Sequence, residues 1–131
     1  MPDPTRGVFI YIDGMNIILA DHQYRVRFAL RVLLEQQRDW KVIGEASNAE
    51  ELISQLQHNT PDLIVMDSEL PGTDAVNCIS AIRQVCPKAR IVSLSEESPA
   101  ALQNQSAAAD AYTSKANSPA HLLSIIRRFS C

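Results

Sequence analysis

The sequence predicts a doubly wound α/β domain built on a parallel sheet, and three observations lead there. Short β-type apolar runs alternate with amphipathic helical stretches five times along the chain. The runs are apolar throughout, the mark of strands covered on both faces. Polar, chemistry-bearing residues recur where the runs stop, at the strand ends where open α/β sheets carry their sites.

The first strand is expected at Asn16–Ala20, followed by a helix over Gln23–Gln37 with Val26, Ala29, Leu30, Leu33 and Leu34 on one face. A second strand, Lys41–Ala46, leads to a helix over Ala49–His58 capped by Asn48, with Glu50 and Glu51 in its first turn. The third strand, Leu63–Met66, precedes a helix over Asp74–Val85 that Pro87 stops. After a fourth strand at Arg90–Leu94, Ser98-Pro99 opens a short Ala-rich helix. Ala111–Thr113 is the fifth strand, and Ser118-Pro119 opens the last helix with a cap residue and a proline at the first helical position. Arg127 and Arg128 suit the negative end of that helix.

Upstream, Val8–Ile12 and the first strand flank Asp13-Gly14, a hairpin signal. The expected division is an N-terminal extension over residues 1–14, or a later start at Met15, followed by one domain over residues 15–131.

Composition narrows the function classes. With 131 residues the chain is long enough to bury a real core, and 46% hydrophobic against 21% charged residues is a globular balance. A formal charge of -3 supplies no basic footprint for nucleic acid. The three cysteines, Cys78, Cys86 and Cys131, lack CxxC spacing and read as ordinary thiols of a reducing compartment. No apolar run is long enough to span a bilayer and no signal-peptide pattern opens the chain, so a cytoplasmic location is expected.

The residues just after the strands are Asp21 and His22, Ala46 and Ser47, Asp67, Ser95, and Ser114 and Lys115. Two carboxylates near one another make an oxygen-rich site for a hard cation such as Mg²⁺. A carboxylate is also a nucleophile toward phosphorus, giving an aspartyl phosphate. A lysine and a hydroxyl would then neutralise and bond the phosphoryl oxygens. Asp67, Asp21, Lys115 and Ser95 have the residue types for those roles, and Pro71-Gly72 keeps the loop after Asp67 short and stiff.

In order and spacing, "IILADH" (17–22), "PDLIVMDSELPGTD" (61–74), "IVSLS" (91–95) and "AYTSKA" (111–116) resemble the receiver domain of two-component response regulators. "VIGEASNAEELISQL" (42–56) resembles the NarL/FixJ subclass, whose members usually join the receiver to a DNA-binding helix-turn-helix domain. The resemblance covers residues 16–130. It implies a flavodoxin-like (βα)5 fold with a parallel sheet of order 2-1-3-4-5. It implies that Asp67 is the phosphoacceptor, Lys115 the phosphate-stabilising lysine, Ser95 the switch hydroxyl and Tyr112 the aromatic that follows it. Asp21, Asp67 and the backbone carbonyl of Glu69 would hold Mg²⁺. The implied partners are a sensor histidine kinase, a second copy in a homodimer, and DNA only through a separate output domain, with no membrane. Phosphorylation would act on the face formed by helix 4, strand 5 and helix 5.

The chain departs from that pattern in two places. His22 stands at the usual second-acid position; neutral imidazole is a poor Mg²⁺ ligand, and the protonated ring would repel the cation. Glu96 adds bulk and charge beside Ser95, where the family commonly has a small residue. A degenerate receiver, working as a phosphate-independent interaction or dimerisation module, is therefore the alternative. "YIDGMN" (11–16) is also similar to the opening of NYN/PIN-type nucleases, a reading that leaves the later motifs unexplained. A phosphatase of the haloacid-dehalogenase kind is disfavoured because "DSE" (67–69) lacks its second aspartate.

Overall fold

The computed structural model describes residues 14–96 and 108–129. The elements run β1 (Met15–Ala20), α1 (Tyr24–Glu35), β2 (Trp40–Ala46), α2 (Ala49–Leu56), β3 (Leu63–Asp67), α3 (Ala75–Val85), β4 (Arg90–Ser95), β5 (Ala111–Ser114) and α4 (Pro119–Arg127). All strand pairs are parallel, in the order β2-β1-β3-β4-β5.

Side chains alternate across a strand, and here both sides are buried. Ile18, Ala20, Ile64, Met66 and Ile91 face α2 and α3, packing with Leu52, Leu56, Ile79 and Ile82. Ile17, Leu19, Leu63, Val65 and Val92 face the other way, packing with Leu34 of α1 and Leu122, Ile125 and Ile126 of α4. Period-2 alternation is therefore absent from the hydropathy although present in the packing. Central β1 already has neighbours on both edges, so no hairpin partner can pair with it there. Val8–Ile12 lies outside the described residues, as does the Ala-rich helix expected after Ser98-Pro99.

Several boundaries move by one residue. β3, β4 and β5 include Asp67, Ser95 and Ser114 as their last residues. The ladder continues that far because Asp67 pairs with Leu94 and Ser95 with Ser114. Asp74 lies outside α3 as its cap, its carboxylate accepting from Asn77 N at 2.8 Å. α2 stops at Leu56, so His58 lies in a turn. α1 buries only Leu34 fully; Val26, Leu30 and Leu33 are half-buried and Ala29 is exposed. Val26, Ala29, Leu30 and Leu33 line an open apolar groove of about 390 Å³ between α1 and α4.

Candidate functional site

The order of the strands reverses between β1 and β3, which leave the sheet side by side. Loops leaving neighbouring strands in opposite directions open a crevice there. Asp21 follows β1 and Asp67 ends β3, and both carboxylates are buried. Lys115, just past β5, reaches across β4's end: its Nζ lies 2.8 Å from Asp21 Oδ2 and 3.3 Å from Asp67 Oδ2. His22 Nδ1 lies 3.8 Å from Asp21 Oδ1 and 3.7 Å from Asp67 Oδ2, with half of the side chain exposed.

Local bonds fix each of these groups. Asp21 Oδ1 accepts from Gln23 N at 2.8 Å, and the Asp21 amide donates to Ala46 O at 2.9 Å. Asp67 Oδ1 accepts from Glu69 N at 3.0 Å, closing a tight turn after the strand. The Lys115 amide donates to Ser95 O at 2.7 Å, which ties the ends of β4 and β5 together. Buried carboxylates require compensating charge. Burial by itself would depress the Lys115 pKa, but Asp21 and then Asp67 outweigh it and hold the ammonium above its ordinary value of 10.5. Asp21 Oδ2 and Lys115 Nζ, both buried, form a close ion pair at 2.8 Å.

Ser95 is buried at the end of β4. Tyr112 lies farther back on β5, half-buried against the α2–α3 side of the core, its hydroxyl accepting from Ala109 N at 3.1 Å. Glu96 is exposed just past Ser95, and His121 is exposed on α4. The apolar groove touches this cluster only through Ser114 and Lys115. The chemistry lies with the carboxylates, and the groove is a neighbouring feature.

Three residues around the site, Arg27, Arg31 and Glu45, have no place in the sequence reading. Arg27 Nη1 donates to the Asp21 carbonyl at 2.6 Å while its Nε donates to Glu45 Oε1 at 2.9 Å. Arg31 completes the clamp through Nη2 and Glu45 Oε2 at 2.6 Å. Burial tends to raise the Glu45 pKa, but the Arg31 and Arg27 bonds prevail and hold it below the ordinary 4.5. The available signal was an i, i+4 arginine pair on α1 facing an acid on an edge strand.

A five-stranded 2-1-3-4-5 sheet with two carboxylates and a lysine at its switch point defines a class of signalling domain. Residues 17–127 match the response regulator receiver domain family, and the chain belongs to that family. It is 33% identical over 116 residues to the transcriptional activator protein ExaE of Pseudomonas putida, covering 87% of this chain and 54% of that protein. It is 30% identical over 115 residues to the response regulator UvrY of Escherichia coli K12, covering 86% and 53%. The chain thus spans about half the length of these relatives. Among solved structures, a LuxR-family two-component response regulator from Aurantimonas sp. SI85-9A1 superposes with a TM-score of 0.78 at 33% identity, covering 88% of this chain and 84% of that one. RcsB from Salmonella enterica serovar Typhimurium, bound to promoter P1flhDC in the presence of phosphomimetic BeF3-, gives 0.80 at 26% identity, covering 88% and 60%. These relatives are regulators of the LuxR/NarL kind, in keeping with the NarL/FixJ-like resemblance. Among the described residues no helix is long and apolar enough to cross a membrane.

Proposed function

We propose that Asp67 accepts a phosphoryl group from a sensor histidine kinase. The observation that carries this reading is the Asp67 carboxylate, buried at the switch point with Oδ1 held by Glu69 N and Oδ2 facing the Lys115 ammonium. A nucleophilic carboxylate oxygen would form the new P–O bond while the P–N bond to the donor imidazole breaks. Lys115 sits where it would take up charge on the phosphoryl oxygens, and the Ser95 hydroxyl is the residue to donate to one of them. Tyr112 would leave its bond to Ala109 N and turn inward behind Ser95. Asp21, Asp67 and the Glu69 carbonyl are the oxygen groups suited to Mg²⁺, with His22 at the remaining position. When bound, such a cation supplies charge neutralisation at the phosphoryl oxygens.

The chain's own chemistry would extend no further than its phosphorylation and dephosphorylation. The receiver unit is taken as residues 15–131, with 1–14 as an extension. Signalling would pass through the face made by β5, α4 and the helix expected after Ser98-Pro99, which lies outside the described residues, controlling transcription by way of a separate DNA-binding output domain and a homodimer. The alternative, a phosphate-independent interaction module, rests on His22 at the second-acid position. The experiment that separates the two is intact-mass analysis after incubation with acetyl phosphate and a divalent cation. One phosphoryl adduct, absent in Asp67→Asn, is expected. No adduct in the wild-type chain overturns the phosphoacceptor reading.

A further inference from the structure

The receiver reading, on which this inference rests, leaves the identity of the cation open, and the side chains at the site bear on it. Asp21, His22 and Asp67 each offer one ligand atom, all within 4.8 Å of one another. Two of the three are buried carboxylates, and a single lysine opposes them. Buried Asp21 Oδ2 pairs with Lys115 Nζ at 2.8 Å, which leaves Oδ1, held by Gln23 N, as the oxygen on the His22 side. The half-exposed imidazole roofs the pair with Nδ1 turned toward both carboxylates.

Ligand chemistry then separates the candidate cations. Mg²⁺ asks for oxygen in an octahedron at about 2.0–2.1 Å, which sets neighbouring ligand atoms about 2.9 Å apart. Zn²⁺ accepts imidazole nitrogen with carboxylate oxygen at about 2.0–2.2 Å, and its tetrahedron sets them about 3.4 Å apart. The nitrogen-to-oxygen separations here, 3.7 and 3.8 Å, place His22 Nδ1 within reach of a cation held by both carboxylates. We propose that Asp21, His22 and Asp67 form a mixed nitrogen–oxygen site for a late first-row divalent cation of the Zn²⁺ class, with His22 Nδ1 as a direct ligand. The departure from the usual acid pair thereby becomes a change of metal.

Late first-row cations bind many sites more tightly than Mg²⁺, so the informative quantity is how the preference changes on substitution. Co²⁺ absorption, with Zn²⁺ and Mg²⁺ as competitors, is to be measured in the intact chain, His22→Ala and His22→Asp. His22→Ala should weaken Zn²⁺ and Co²⁺ by at least the roughly tenfold that even a lost supporting contact costs a metal site, with little change for Mg²⁺. His22→Asp should tighten Mg²⁺ and narrow the Zn²⁺-to-Mg²⁺ ratio. Nitrogen-15 spectra of the imidazoles should show His22 shifting at Zn²⁺ saturation and not with Mg²⁺, with His58 and His121 as internal controls. Equal losses for both metals in His22→Ala, or an unmoved His22 ring at Zn²⁺ saturation, overturn the proposal. Acetyl-phosphate labelling of the same samples keeps the two readings apart. Labelling of Asp67 with an unmoved His22 sinks the metal assignment and leaves the receiver reading intact. A shifted His22 without labelling under any cation supports the metal assignment and sinks the phosphoacceptor.

Discussion

Arg27 supports the site from outside it, through one bond to the Asp21 backbone and one to Glu45 on the edge strand. Both of these are charged, partly buried hydrogen bonds, so Arg27→Ala should cost about 1–3 kcal/mol, read from urea unfolding at neutral pH. The Glu45 pKa is depressed on folding, so its stabilisation is present above the ordinary 4.5 and is lost as pH falls through the lower folded value. The gap between wild type and Arg27→Ala should therefore narrow as pH drops below 4.5; a constant gap down to pH 3 would remove Glu45 from the account. Lys115 has the opposite sign. Its raised folded pKa makes its contribution complete below 10.5 and lost as pH climbs past the folded value. Lys115→Gln leaves two buried carboxylates without their cation, at a cost of about 2–4 kcal/mol, slightly reduced from fully buried pairs because the site is open on one side. A saturating divalent cation should restore part of that loss in a thermal melt, since it replaces the missing charge.

At the scale of elements, the loop after Asp67 is held by its contact with α2. The start of α2 is held by two bonds: Asn48 Oδ1 accepts from Glu51 N at 2.8 Å, and Glu51 Oε1 accepts from Ser47 N, one residue before the cap, at 2.8 Å. Ala49 N donates to Pro71 O at 2.8 Å, which seats the Pro-Gly turn on the helix start. Gly72 adopts φ 113°, where a side chain is strained, and an added Cβ would come within 3.2 Å of Ala49 Cβ. Gly72→Ala should cost about 1–2 kcal/mol, measured as a shift in the urea midpoint with an unchanged slope. It should also slow labelling of Asp67, because the turn that fixes the strand end is displaced. Asn48→Ala should cost about 1 kcal/mol through the lost cap while leaving labelling close to normal. Equal effects of the two substitutions on labelling would show that the turn does not position Asp67.

For the molecule as a whole, the phosphoryl group has to bias two arrangements of a packed domain by about 1–3 kcal/mol to signal usefully. Ser95 and Tyr112 lie on neighbouring strands whose ends are joined through Lys115 N and Ser95 O, so a change at Asp67 has a short path to β5. Self-association measured by analytical ultracentrifugation with and without beryllofluoride tests this. Tighter association in the presence of the mimic is expected; identical association would favour the phosphate-independent module.

The apolar runs Ile17–Ala20 and Leu63–Met66, alternating with helical stretches, pointed by themselves to a parallel sheet covered on both faces, because such runs have no solvent side to mark. The fragment "PDLIVMDSELPGTD" likewise determined where Asp67 emerges, since a buried run must end before a Pro-Gly turn. Tertiary structure decided the rest. Whether His22 lies over the carboxylates or points into solvent depends on the path of the chain between Asp21 and Tyr24, which local propensity leaves free. The Arg27–Glu45 clamp depends on how α1 crosses the edge strand, a long-range contact with no local signature. Ala29, exposed beside the half-buried Leu30, lines the groove between α1 and α4, a feature set by packing and not by local pattern. Strand ends were read one residue short because a polar residue stops an apolar run, whereas a strand stops only where its ladder loses a partner.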